Sequence, residues 1–264
     1  YTLGDVVLDN SSVTNNVATA DGAGIYNLGT LSITVTTLAG NTATGAGGAV
    51  YNGQALTLTQ SAIYQNSANA GGGLRNADAG EIYVVNSTIG ENHAATGGGL
   101  YNTGNVDARF VTVYKNDSTT GGLSIYNQPA AGKKFAIFAA VVAKMASESH
   151  NVCSGVALVD NGPGYSRISD DTCGPPHAPA IQLRDLGLGI GTTPVYLPVA
   201  VANNAVLDVV PRVDCEPQLG VGNLIDQRDR PRPLRFPEHE IAMCDAGAVE
   251  YGQELHYVCG APLD

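Results

Sequence analysis

The sequence predicts an all-β fold: a right-handed parallel β-helix of about 25 residues per coil, ending in an irregular, disulfide-containing C-terminal cap. Three observations carry this. Near-copies of one segment run through the first half, GAGIYNLGTLSITVTTLAGNTAT, GGAVYNGQALTLTQSAIYQNSAN, GGGLRNADAGEIYVVNSTIGENHAAT and GGGLYNTGNVDARFVTVYKNDSTT, after a partial copy, VVLDNSSVTNNVATA. An Asn falls near the end of each copy at Asn16, Asn41, Asn66, Asn92 and Asn116, with spacings of 25, 25, 26 and 24. A second Asn follows the Gly-rich turn at Asn27, Asn52, Asn76, Asn102 and Asn127. Short β-type runs separated by Gly and Asn at such a period are the mark of a solenoid in which each copy is one coil.

Each coil reads as three strands. Residues i and i+2 of a strand share a face. The pairs Leu31/Ile33, Leu56/Leu58, Ile82/Val84 and Val106/Ala108 therefore point inward in successive coils. Val13, Leu38, Ile63, Ile89 and Val113 form a second inward column, and Ile25, Val50, Leu74, Leu100 and Ile125 a third. Three strands in 25 residues suit a right-handed helix better than a left-handed one built on hexapeptides. Glycines serve corners that need positive φ. The asparagines tolerate bends and can hydrogen-bond from coil to coil as an amide ladder.

The repeat decays after Asn127, which divides the chain into regular coils over 1–127 and an irregular continuation and cap over 128–264. Residues 128–134, QPAAGKK, read as a corner insertion. FAIFAAVVAKMA then supplies one more coil. A helix competes for this run, because Ala, Lys and Met favour it, but Phe135 and Ile137 repeat the inward pair. Beyond about residue 150 the text turns rich in Pro and loops and holds all 5 cysteines.

Composition agrees with a rigid, turn-rich β protein: Gly 33, Met 2, Trp 0 and 14% charged residues. The net charge of −11 leaves no basic stripe for nucleic acid, and acidity of this kind keeps an extracellular protein soluble. No apolar run reaches the ~18 residues that span a bilayer. The chain begins at Tyr1 inside a coil, without Met or signal peptide, as a processed start or a piece of a longer solenoid would.

The cysteines show no CxxC, and His177, His239 and His256 stand at no ligand spacing, so no metal is expected. Disulfides in an exported protein account for them better, with Cys153–Cys173 and Cys215–Cys244 the natural pairs. Five cysteines leave other pairings open, and Cys259 is left over, free or bonded to another chain.

The elements NVCSG…GY…DDTCG, then NNAVLD…C…DQRDRPRP…MCDAGAVEY, resemble the bacterial secreted β-helix proteins of the choice-of-anchor Q domain type. The likeness runs over nearly the whole chain and is most specific at Asp226-Gln227-Arg228, Pro231-Arg232-Pro233 and Cys244 to Tyr251. Val209-Val210 after Asp208, and Asp229, depart from that pattern. The resemblance implies an exported surface protein with the disulfides above, normally with an export signal and often a sorting tail. It implies no established reaction.

Many right-handed β-helices act on polysaccharides, so a carbohydrate-active enzyme, lyase or hydrolase, with its site in the irregular half or in missing coils is the alternative. Glycoside hydrolysis needs two acids about 5–10 Å apart, whereas the outward columns Ser32, Thr57, Tyr83, Asp107 and Thr34, Thr59, Val85, Arg109 offer single acids. Asp170-Asp171 would alternate in direction, and Asp160-Asn161-Gly162 reads as a turn before a calcium loop. No catalytic residue and no cofactor is expected. Arg228, Arg230, Arg232 and Arg235 form either a docking patch for an acidic partner or a glycan, or ion pairs with Asp226, Asp229, Glu238 and Glu240 that fasten the cap.

The expected function is that of an exported, non-catalytic cell-surface or extracellular protein whose rigid face meets a glycan, a protein partner or its own copies. Tyr26, Tyr51, Tyr101 and Tyr126 follow inward aliphatics by one residue and so turn outward, with Arg75 in the same column. They form an aromatic ridge over which a guanidinium can lie. Either the rings simply cover Gly corners or they are a contact platform. Tyr64 and Tyr114, in a different outward column, extend that surface around the corner.

Overall fold

The computed structural model describes residues 1–145, 147–174, 178, 181–187, 192–199, 204–207, 209–219, 224–232 and 243–251. Cys259, Arg235, Glu238, Glu240, Asp208, Pro233, His177, His239 and His256 lie outside these.

The chain is a parallel β-helix. One coil illustrates it: strands Ile25–Asn27, Thr30–Thr34, Thr37–Ala39 and Thr42–Ala43 each pair in parallel with their counterparts one coil on. Stacking these generates four parallel sheets, I to IV in that order, of six, seven, seven and five strands. The three inward columns stand as the alternation requires: Leu31, Leu56, Ile82, Val106 and Phe135 are in register and at most 3% exposed. FAIFAAVVA forms strands Phe135–Phe138 and Val141–Ala143 rather than a helix, with Phe135 opposite Val106 and Ile137 opposite Ala108.

A coil has four strands, not three. The fourth, such as Ser67–Ala70 or His93–Thr96, follows the Asn that ends each copy. It was missed because it points only one small side chain inward per coil (Ala43, Ala68, Ala94), too little for a hydrophobic signal.

The asparagines form two ladders, and they do so from non-bend positions. In the ladder that ends each copy, positive φ falls on the residue before the Asn: Asn15, Gly40, Gln65, Glu91 and Lys115. Even Val35 and Phe110 hold φ of 46° and 51° at the corner between sheets II and III. Such backbone is costly for bulky side chains and is held by pairing with the coils on either side. In one ladder Asn16, Asn41, Asn66, Asn92 and Asn116 pass Nδ2–H···Oδ1 bonds of 2.8 to 2.9 Å along the stack. In the other Asn27, Asn52, Asn76, Asn102 and Asn127 do the same at 2.8 to 2.9 Å. Gly47, Gly71, Gly97 and Gly122 serve the positive-φ corner before sheet I, as expected.

The irregular half does two jobs. The disulfide Cys153–Cys173 and the 3-10 helix Asp171–Cys173 close the last coil: Asp170 caps that helix, Cys153 N–H donates to Thr172 Oγ1, and Leu158 N–H to the Cys173 carbonyl. The described residues between Thr193 and Tyr251 form a strap against the flank of the coils. Gln60 Nε2 donates to the Asp226 carbonyl, Asn86 Nδ2 to Ile225, and Thr88 Oγ1 to Gln227 Oε1. Farther along, Ala248 N–H donates to Thr112 Oγ1 and Gly247 N–H to the Ala139 carbonyl. This strap buries a second apolar cluster, in which Phe110, Phe138 and Val141 of the coils meet Val206, Val210 and Leu219. Cys215–Cys244 ties the helix Arg212–Leu219 into it.

Candidate contact face

Sheet I carries the ridge. Five of its six strands read inward aliphatic, outward residue, inward Asn, with burial alternating accordingly. Register places Tyr26 beside Tyr51, Tyr51 beside Arg75, Arg75 beside Tyr101, and Tyr101 beside Tyr126. All five are half-buried. The Tyr26 and Tyr51 centroids lie 4.6 Å apart with planes 1° from parallel. Tyr101 and Tyr126 lie 4.7 Å apart, tilted by 31°. The Arg75 guanidinium sits 4.5 Å over the Tyr101 ring and donates to the Asn76 carbonyl and, at 3.1 Å, to Thr103 Oγ1.

Tyr1 is a further member that the sequence reading passed over. Its ring stacks on Tyr26 at 5.4 Å, and its position one period before Tyr26 was the available signal. The Tyr26 phenol is held above its ordinary pKa, first by its partial burial, then by Tyr51 and Asp21 beside it. The rings also shelter glycine corners: the Tyr126 Cβ stands against Gly97, and the Tyr51 ring edge over Gly53.

Tyr64 and Tyr114 belong elsewhere. Both lie on sheet III, and around the coil sheet II separates them from the ridge on one side and sheet IV on the other. Nor do they adjoin, since Gly90 stands between them in register. The bare Gly90 makes a slot for Tyr196 of the strap, whose hydroxyl end occupies the place of a Cβ. Tyr196 meets Tyr114 edge-on at 5.0 Å, so Tyr114 is committed to holding the strap. Burial pushes the Tyr196 phenol far up.

Arg228 and Arg232 of the DQRDRPRP segment are buried and offer no exposed docking patch. Arg228 is 5% exposed and grips Asp226 Oδ2 through Nε and Nη2 at 3.1 and 2.9 Å. Arg232, 2% exposed, donates to Glu250 Oε1 at 2.8 Å and to the Asp245 and Gly247 carbonyls. Its guanidinium lies 4.7 Å over the Phe110 ring of the coil. The ion-pair reading therefore holds for Arg228 with Asp226, and Glu250 is a partner the sequence did not suggest. Glu250 is buried among Asp245 and Asp226 as well, and desolvation first, then Asp245, raises its pKa against the pull of Arg232.

Asp170 and Asp160, two of the acids the sequence singled out, are engaged locally. Asp170 accepts from Val152 N–H and Thr172. Asp160 accepts from Gly162 N–H at 2.9 Å, the hydrogen bond of an Asx turn. Among the described residues no three of His, Cys, Asp and Glu converge as ligands, and no helix is long and apolar enough to cross a membrane.

Compared with known proteins, the chain matches no family, no curated protein and no solved structure. What sequence and structure establish together is a parallel β-solenoid with about 25-residue coils, two disulfides and one outward stack of aromatic rings.

Proposed function

We propose that this chain is an exported, non-catalytic surface protein of the choice-of-anchor Q type, and that sheet I is the face it presents to an extracellular partner. The stack of Tyr1, Tyr26, Tyr51, Arg75, Tyr101 and Tyr126 carries the reading. It is a continuous outward stack of tyrosine rings and one guanidinium, packed on its neighbours and backed by a buried Asn ladder. Tyr supplies contact area and a hydroxyl with little rotamer freedom to lose. The two disulfides support export to an oxidising compartment. The burial of Asp226, Asp245 and Glu250 under two arginines supports a structural role for the closest acids and speaks against the polysaccharide-cleaving alternative.

The test compares the wild type with Tyr51→Ser/Tyr101→Ser by surface plasmon resonance on immobilised cell-wall polysaccharides and matrix proteins. The expected result is loss of binding at an unchanged far-UV spectrum. Undiminished binding by the double variant would reject sheet I as the face.

A further inference from the structure

The spacing of the ridge decides how a ligand can meet it. Rings whose centroids stand 4.6 Å apart with parallel planes are offset-stacked, face against face. Tyr1 covers Tyr26 from beyond, the Arg75 guanidinium covers Tyr101, and Tyr126 closes on the far side of Tyr101. The ring faces that would take the C–H side of a sugar are thus largely occupied by each other. What the stack offers outward is a row of ring edges tipped with hydroxyls. Tyr26 and Tyr51 hydrogen-bond to each other, and Tyr126 donates to Gln128 Oε1 at 3.2 Å. Each hydroxyl keeps acceptor capacity toward the outside and can exchange its donor bond for one to a ligand.

Building on the contact-face reading above, we infer that sheet I binds a neutral, linear polysaccharide laid along the solenoid axis. The chain is held by hydrogen bonds to the hydroxyls of Tyr26, Tyr51, Tyr101 and Tyr126 and not by stacking on their rings.

Area selects the shape of the ligand. Strands of three residues give a strip about 10 Å wide, and six stacked side chains give about 24 Å of length. That is about 240 Å², well short of the roughly 800 Å² per side of a stable protein interface. A second copy of the solenoid or a folded partner needs more surface than this strip has, whereas a single polymer chain matches its width.

Charge selects the chemistry. The protein carries −11 overall, and Asp21 stands beside Tyr26. The ridge's one cation, Arg75, is engaged with Tyr101, the Asn76 carbonyl and Thr103. A polyanion would meet net repulsion with no cationic row to offset it. A polymer of hydroxyls finds matching donors and acceptors at the coil spacing, on side chains already immobilised by stacking, so little ordering opposes binding.

Isothermal titration of the full chain with a soluble β-glucan, a galactomannan and polygalacturonate tests this. The wild type should bind at least one of the two neutral polymers and bind polygalacturonate more weakly. Tyr51→Phe/Tyr101→Phe keeps every ring and removes two hydroxyls, and should weaken binding about tenfold or more with an unchanged Tm. If the Phe variant binds like the wild type while Tyr51→Ser/Tyr101→Ser does not, rings and not hydroxyls make the contact and the inference falls, although sheet I remains the face. Preference for polygalacturonate, or no binding to any of the three, also overturns it, and the contact-face reading is then decided separately by the plasmon-resonance panel.

Discussion

The Asn66 side chain donates to the side-chain Oδ1 of Asn92 at 2.9 Å, and both residues are fully buried between coils. The same Asn66 amide also donates to the Leu38 carbonyl, and its own oxygen accepts from the side chain and the backbone N–H of Asn41. Every polar atom is satisfied by a coil above or below. Each ladder residue therefore joins three successive coils, which makes the amide column a spine and not a row of independent bends.

Asn66→Ala strands the Asn41 donors and the Leu38 carbonyl in the core. Unsatisfied buried groups cost about 1–3 kcal/mol each, so the variant should lose on the order of 3 kcal/mol or more. Chemical denaturation should show a lower midpoint. A variant as stable as wild type would mean that water or a shifted corner replaces the amide.

Glu250 gives the protein a pH signature. Burial raises its folded pKa well above the ordinary carboxyl value of 4.5. The unfolded chain therefore ionises first as pH rises, and stability present below about 4.5 should decline as pH climbs toward the folded value. Glu250→Gln keeps the acceptor facing Arg232 and Asp245 N–H while removing the titration. Denaturation midpoints measured from pH 4 to 8 should fall with pH in the wild type and fall less in the variant. Parallel curves would place the ionisation elsewhere.

Removing the cation instead should be severe. Arg232→Leu leaves Glu250 and two backbone carbonyls without their donor at a site the solvent does not reach. Breaking a buried pair on one side costs about 3–5 kcal/mol, and the strap should come away first. Limited proteolysis should cut between residues 193 and 251 while the coils stay intact.

Gly90→Val attacks the strap from the other side by filling the slot that Tyr196 occupies. Tyr196, 1% exposed in the native protein, should become accessible to iodination or nitration, with Tyr114 following it. Unchanged tyrosine reactivity would show that the coil yields instead of the strap.

Both disulfides should resist alkylation in the denatured, unreduced chain. Each closes a loop of 20 or 29 residues, and loop-closure reasoning assigns each about 3 kcal/mol. Peptide mapping should find Cys153 with Cys173 and Cys215 with Cys244.

What the sequence made legible was whatever repeated with a large signal. Ile25, Val50, Leu74 and Leu100 announce their column by size and period, and the outward Tyr column follows from theirs by alternation. The fourth strand did not show, because Ala68 and Ala94 are small and their neighbours polar. The strap was equally hidden: it contacts the coils through single side chains such as Gln227 and Tyr196, which have no period to detect. Tyr64 and Tyr114 share one register column of sheet III, with Gly90 between them. Their distance from the ridge depends on where the corners fall, and one extra strand per coil moved them off its surface.

The seven residues from Gln128 to Lys134 sit where most coils turn in two, yet Asn127 still takes its place under Asn102 and Phe135 still lies opposite Val106. The corner between sheets I and II is thus decoupled from the pitch of the stack: the ladders on either side set where the chain must leave and return, and the path between is free to lengthen. A peptide grafted into the equivalent corners after Asn27, Asn52 or Asn102 would be displayed at a known height along the axis, and several together would form a ruled array with one address per coil.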